Sequence, residues 1–317
     1  MKKILVLTSG GDASGMNAYI KSLAKLCKKN NVELNASLYG FQGLVENSIM
    51  PLKYDELGEI QNLGGSVIKT SRSKDFVTQE GFNKAIDNIK KQNIDCLVIV
   101  GGNGSFNGAI DLYNAGVNIL AVPATIDNDL AYTDKTLGYD TACQNAIDAI
   151  VKIKQTMDAC DRGTIVEVMG RHCSDIAVRS AILCDADLLI TENLTFEHIL
   201  KKVNDIIDSQ KKNPLVVVQE NILDVNSLSK FLEEKTKKEF RATIIGYLQR
   251  GGEPTANDKL YAIELACETI KLVLESNLNK AIGYKNGEII TKDIQFAVSM
   301  QKEKNDKLIN VYNQYSK

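Results

Sequence analysis

The chain has 317 residues, with 38 Lys and Arg against 40 Asp and Glu and a formal net charge of −2. Hydrophobic residues make up 44% and charged residues 25%, globular proportions that exclude a disordered chain and leave no basic excess for nucleic acid or an anionic membrane. The length predicts about two domains, each large enough for its own core.

Residues 3–8 (KILVLT) predict a strand, followed by a glycine-rich turn and a helix over 16–28. Further strands are expected at 32–38, 95–100 (DCLVIV) and 118–122 (NILAV), with a helix from about 104 after the second of these. The runs are continuously apolar, as in strands covered on both faces, and strand–helix alternation at this spacing implies a parallel sheet. The pattern then repeats. A long helix is expected over 139–159, with strands at 164–169, 188–191, 215–219 and 242–245 and helices over 171–183, 196–211 and 225–237. A helix over 257–275 and another from 302 complete the chain. No Pro- or Gly/Ser-rich linker separates the halves, so the chain crosses between them directly. The predicted class is α/β.

No apolar run approaches the ~18 residues of a membrane helix. The apolar stretch at 4–8 is too short for a signal-peptide core, so a cytoplasmic protein is expected. The seven cysteines include no CxxC pair, which argues against a disulfide framework or zinc site. Cys27, Cys96, Cys143 and Cys267 sit in apolar stretches and are expected to be buried. Of the two histidines, His172 is expected to pack inside and His198 to be exposed.

Ligands of open α/β sheets collect beyond the carboxyl ends of the strands. Three turns fall there. The first, Gly10-Gly11-Asp12-Ala13-Ser14-Gly15, lacks the Gly-Lys-Ser/Thr of a P-loop and is not GxGxxG, but it joins a strand to a helix whose free N–H groups can bind phosphate. The second, Gly101-Gly102-Asn103-Gly104-Ser105, does the same on another strand, and two such loops on one sheet point to a polyphosphate pocket. The third is Thr125-Ile126-Asp127-Asn128-Asp129. If extended, it would aim both carboxylates to one side, one to take a hydroxyl proton and the other to help hold Mg²⁺. Arg72, Arg162, Arg171, Arg241 and Arg250 stand in short polar or glycine-rich settings in a chain that otherwise prefers Lys. That pattern suits bidentate phosphate recognition.

Assembled, LTSGGDASGMNA, GGNGS, TIDND, VEVMGR and LQRGG resemble, in order and spacing, the compact bacterial ATP-dependent enzymes of the phosphofructokinase family, over essentially the whole chain. The resemblance implies two Rossmann-like three-layer α/β/α domains with mainly parallel sheets. An ATP-binding domain would comprise residues 1–137 with 249–300, and a fructose 6-phosphate-binding domain 138–248 with 301–317. It implies transfer of the γ-phosphoryl group of Mg-ATP to the 1-hydroxyl of fructose 6-phosphate. By motif, Asp127 matches the general base and Asp129, with Asn103, the Mg²⁺ environment. Gly11, Arg72, Gly102, Asn103, Gly104 and Ser105 match ATP contacts, while Thr125 and Arg171 match contacts to the reacting groups. Met169, Gly170, Glu220, Tyr247 and Arg250 match sugar-phosphate contacts. Arg162 and Arg241 match arginines that reach the 6-phosphate from a neighbouring subunit, so a homo-oligomer, typically a tetramer, is implied. Lys21, Lys25, Lys154, Lys211 and Asp187 match an effector site for ADP or phosphoenolpyruvate.

The chain departs from the family pattern at several points. Asn103 stands where Asp is usual, removing a charge beside the metal. Tyr247 replaces a His and cannot become cationic near neutral pH. Val77, Ser14 and Ala124 replace a usual Arg, Pro and Gly. Pyrophosphate-using relatives carry Asp at the position of Gly104 and Lys at that of Ala124, so these two residues favour ATP. The alternatives are a pyrophosphate-dependent enzyme of the same fold and a weakly catalytic or non-catalytic ligand-holding relative.

Overall fold

The apolar run after Met1 forms the core of a sheet. In the computed structural model, which describes residues 1–209, 213–302 and 306–316, β1 (Lys3–Ser9) leads into α1 (Met16–Lys29), β2 (Glu33–Ser37), α2 (Phe41–Glu46) and β3 (Ile49–Pro51). α3 (Gln79–Lys91), β4 (Cys96–Gly101), α4 (Asn103–Asn114) and β5 (Ile119–Pro123) follow. α5 (Tyr139–Ala159), β6 (Gly163–Val168), α6 (Asp175–Leu183), β7 (Leu188–Ile190) and α7 (Phe196–Asp208) come next, then β8 (Leu215–Gln219), α8 (Val225–Thr236) and β9 (Phe240–Ile244). The chain continues with α9 (Ala256–Glu275), β10 (Lys280–Lys285), β11 (Glu288–Asp293), α10 (Ile294–Ser299) and α11 (Asp306–Tyr315). It divides into two compact units, residues 1–141 with 250–303 and residues 142–249 with 304–317.

The first unit holds a seven-stranded sheet in the order β11-β10-β5-β4-β1-β2-β3. β1, β2, β4, β5 and β10 run parallel, and the edge strands β3 and β11 are antiparallel to their neighbours. Period-two alternation divides the central strands between two layers. Leu5, Leu7, Leu97, Ile99, Ile119 and Ala121 face a core that includes Phe106 and Leu112 of α4. α1 and α9 pack on each other, with Tyr19 Oη and Thr269 Oγ1 sharing a buried 2.8 Å hydrogen bond. Each fully buried Leu, Ile or Phe contributes about 1.5–3 kcal/mol. The second unit is a four-stranded parallel sheet, β7-β8-β6-β9. Its core joins Ile165, Val216 and Val218 to Ile199 and Val203 of α7 and to Leu228 and Leu232 of α8. α6 packs on β8 and α11 on α6, and Tyr312 Oη of α11 donates to the Ala186 carbonyl at 3.1 Å. The fold class is therefore α/β with mainly parallel sheets, as the alternation predicts.

Several expectations change. The hairpin of β10 and β11 and the short β3 carry little apolar periodicity and were not predicted; α2, α3 and α10 were also missed. The helix expected over 171–183 starts only at Asp175, after a bend at residues 171–172. The helix expected over 196–211 ends at Asp208, and Lys211 lies outside the described residues. Cys27, Cys96 and Cys143 are buried, but Cys267 is exposed on the outer face of α9. Burial pushes the Cys27 thiol up to about 12, so it stays protonated and inert near neutral pH. His172 is exposed rather than packed, because it sits in the bend at residues 171–172 ahead of the helix; His198 is exposed as expected. Among the described residues, no helix is long and apolar enough to cross a membrane.

Candidate active site

In the first unit, β1, β4 and β5 are neighbours, and the register sets Ser9 beside Gly101 and Gly101 beside Pro123. The three singled-out turns therefore begin side by side at the carboxyl edge of one sheet. The two glycine loops are locked by close approach. A Cβ on Gly101 would stand 2.4 Å from Ser105 Oγ and 2.7 Å from the Ser9 carbonyl, so only glycine fits between the strands there. Gly10 and Gly15 take positive φ, which lets the first loop turn into α1. Ser14, where the family usually has Pro, is buried, and its Oγ donates to the Gly252 carbonyl at 3.0 Å, tying that loop to the segment after Arg250.

Gly15 and Gly102 begin α1 and α4 with no side-chain cap, and neither first turn carries an acid. Their N–H groups and positive dipole ends suit an anion. Asn103 and Gly104 are exposed, Ser105 is buried, and nothing lies within 4 Å of where a Gly104 Cβ would be. Gly102 backs onto Thr125, whose Cβ would stand 3.1 Å from an added Cβ. Arg72 is exposed; two residues before it, Thr70 Oγ1 donates to the Gly10 carbonyl at 2.9 Å, tying its segment to the first loop.

The carboxylate turn is not extended, so the condition for both carboxylates to share one side is not met. Residues 126–127 form a turn and Asn128 takes a left-handed φ of 52°, so strand alternation does not set the directions of Asp127 and Asp129. The turn is pinned instead. Asp127 N donates to Thr125 Oγ1 at 3.3 Å, Thr136 Oγ1 donates to the Thr125 carbonyl at 2.6 Å, and Asn128 Nδ2 donates to the Asp134 carbonyl at 3.2 Å. Asp127 and Asp129 are both half-buried. Among the described residues, no group of three or more His, Cys, Asp or Glu could hold a metal. One or two carboxylates plus ligand phosphates and water is the environment that Mg²⁺ prefers, so this donor set fits Mg²⁺ carried in with a polyphosphate.

Arg250 belongs to this unit and lies on the first loop. Its Nη2 reaches Asp12 Oδ1 at 2.8 Å, and a Cβ on Gly11 would stand 2.2 Å from the same nitrogen. Asp12 was not among the candidate residues; its place inside the first motif was the available signal.

In the second unit, Val168 pairs with Gln219 at the ends of β6 and β8. This brings Met169, Gly170 and Glu220 together. Gly170 N donates to Glu220 Oε1 at 3.0 Å, and Gln219 Nε2 donates to the Gly170 carbonyl at 2.6 Å. Gly170 has a φ of 133°, out of reach of other residues without strain. Met169 N donates to Gln249 Oε1 at 3.2 Å; Gln249, fully buried, was also missed by the sequence reading. Burial, followed by the charges of Glu220 and Asp224, raises the pKa of Glu167 in β6. Arg171 and Tyr247 are exposed. Arg162 and Arg241 both meet Glu239: Arg162 Nε lies 2.8 Å from Oε2, at an angle that makes no hydrogen bond, and Arg241 Nη2 donates to Oε1.

Of the effector candidates, Lys21 is not simply solvated. Its Nζ donates to Gln61 Oε1 at 2.7 Å and to the Gly58 carbonyl. Lys25 is exposed and Lys154 half-buried. Asp187 Oδ2 accepts from Leu215 N at 2.8 Å, beside the start of β8.

Glycine loops on uncapped helices, next to a pinned carboxylate turn on a doubly wound sheet, define a class of α/β protein that handles phosphorylated ligands. The phosphofructokinase family model matches residues 3–273, and the chain belongs to that family. It is 39% identical over 296 residues to an ATP-dependent 6-phosphofructokinase of Lactobacillus delbrueckii subsp. bulgaricus, covering 93% of each chain. It is 38% identical over 314 residues to the enzyme of the same name from Clostridium tetani, covering 98% of each. Phosphofructokinase from Saccharomyces cerevisiae has a TM-score of 0.85 at 26% identity over 100% of this chain; this chain spans 47% of that one, about half its length. A pyrophosphate-dependent phosphofructokinase from Marinobacter aquaeolei has the same TM-score at 17% identity over 96% of this chain and 85% of its own, a likeness of fold.

Proposed function

We propose that this protein transfers the γ-phosphoryl group of ATP to the 1-hydroxyl of fructose 6-phosphate, a glycolytic step in the cytoplasm, with Mg²⁺ held at the transferred phosphates. The observation that carries the reading is Asp127 in a hydrogen-bonded turn next to two uncapped phosphate loops on neighbouring strands. Asp127 would accept the hydroxyl proton, and Asp129, with the Asn103 amide, would complete the Mg²⁺ environment. Gly11, Arg72, Gly102, Gly104 and Ser105 would take the ATP phosphates. Thr125 and Arg171 would steady the reacting groups. Met169, Gly170, Glu220, Tyr247, Arg250, Arg162 and Arg241 would bind the sugar phosphate. Positioning and charge neutralisation carry most of the catalysis in phosphoryl transfer, and these residues supply both.

The open space at Gly104 and the small buried Ala124 support ATP over pyrophosphate as donor. The family's arrangement supports a homo-oligomer, a tetramer in this reading, with Lys21, Lys25, Lys154, Lys211 and Asp187 at an effector site for ADP or phosphoenolpyruvate.

The test is fructose 1,6-bisphosphate formation with Mg-ATP and Mg-pyrophosphate in parallel, on the wild type and on Asp127→Ser. Turnover is expected with ATP alone. Asp127→Ser is expected to lower kcat by about 10²–10⁴ while both ligands still bind. Near-normal turnover in that variant would remove Asp127 as the base; turnover with pyrophosphate would overturn the donor.

A further inference from the structure

The two arginines proposed to meet the sugar 6-phosphate already share an anion supplied by their own chain. Gly163 N donates to the Glu239 carbonyl at 2.9 Å, where β6 begins beside β9. The register then sets Gly163 opposite Phe240 and Thr164 opposite Arg241. Only glycine fits at 163, because a Cβ there would stand 2.3 Å from the Phe240 ring. This close approach holds residues 162, 239 and 241 together. The two oxygens of Glu239 are divided between the arginines, Oε2 towards Arg162 Nε at 2.8 Å and Oε1 accepting from Arg241 Nη2. Arg241 Nη1 also donates to the Phe240 carbonyl at 3.0 Å and lies 3.4 Å from Glu233. The Arg162, Glu239 and Arg241 side chains are 33%, 32% and 47% exposed; Arg162 Nε itself is buried, so an incoming ligand meets Arg162 at the rest of its guanidinium group.

We propose that Glu239 sets the sugar-phosphate affinity of the Arg162–Arg241 pair by acting as a resident counter-anion that the 6-phosphate must displace. The inference rests on the proposed roles of Arg162 and Arg241. Two guanidinium groups with the Glu239 and Glu233 carboxylates carry no net charge. A phosphate dianion brings more charge and three acceptor oxygens, so it can take over both arginines, but only by competing with Glu239. Removing the Glu239 charge leaves the two guanidinium groups balanced only by Glu233 on Arg241, a net single positive charge for the phosphate. Solvent screening moderates the gain at this exposure without cancelling it.

The experiment compares steady-state kinetics for fructose 6-phosphate in the wild type, Glu239→Gln, Arg162→Ala and Arg241→Ala, at low and high salt. Glu239→Gln, which keeps the shape and one oxygen acceptor, is expected to lower KM about three- to tenfold at low salt. The change should fall in KM rather than kcat, with a steeper rise of KM with salt. Calorimetric titration with fructose 6-phosphate should show the same tighter binding. An unchanged or raised KM in Glu239→Gln, with KM raised in the arginine variants, would overturn the counter-anion role alone. A KM unmoved in both arginine variants would overturn their assignment and the role of Glu239 with it. A drop in thermal stability with no shift in KM or its salt dependence would make Glu239 a strand-start ion pair only.

Discussion

At the scale of single residues, Asn103 is the clearest departure from the family pattern. It starts α4, exposed beside Gly102 and Gly104, where in the proposed function a carboxylate would add a charge beside the ATP phosphates and Mg²⁺. Asn103→Asp is expected to reduce the Mg²⁺ concentration needed for half-maximal rate severalfold at saturating ATP. Titrating activity with Mg²⁺ checks this, and an unchanged midpoint would put residue 103 beyond the metal's reach. The proposed site residues were picked out from the sequence because most of them stand in long motifs rich in glycine and acids. Asp12, Gln249 and Glu239 were not, because what they do depends on partners 238, 80 and 77 residues away in sequence, at Arg250, Met169 and Arg162.

At the scale of elements, the central strands were legible because each is buried on both faces, leaving a short, β-branched apolar run bounded by turn residues. β3 and β11 are the edge strands and β10 lies just inside β11, and in all three the apolar run is short and broken by polar residues or glycine. Glu167 on β6 shows how packing changes an element's chemistry. Its folded pKa is raised, so the group carries an ionisation cost that is absent below the ordinary carboxyl range and complete above its raised value. The wild type should therefore lose stability relative to Glu167→Gln as pH climbs through that window. Glu167→Gln is expected to raise Tm by about 1–3 °C at pH 7 and by little at pH 4. A thermal melt series from pH 4 to 8 tests this; equal melting temperatures across the range would contradict it.

At the scale of the whole molecule, the first unit is discontinuous. Residues 250–303 return to it after the second unit and supply α9, β10, β11 and α10. α9 packs on α1, β10 pairs with β5, and Asp258 of α9 accepts from Gly138 N at 2.9 Å and Thr141 N at 2.8 Å. A fragment ending at residue 249 would expose the apolar face of α1 and the edge of β5. It is expected to be recovered aggregated or as a protease-sensitive species, without the cooperative melt of the full chain. Far-ultraviolet circular dichroism with limited proteolysis decides it. A monomeric, protease-resistant fragment 1–249 would show that the first unit folds without its returning segment.

The sequence alone determined the α/β class, the central strands, and the glycine-rich and carboxylate turns at their ends, because strand burial and turn chemistry act over a few residues. Tertiary structure alone decided the edge strands, the exposure of Cys267 and His172, and the geometry of the TIDND turn. It also decided which acid each arginine meets, Asp12 for Arg250 and Glu239 for Arg162 and Arg241. Those outcomes depend on strand register and on chain that returns from far along the sequence, which no local pattern records.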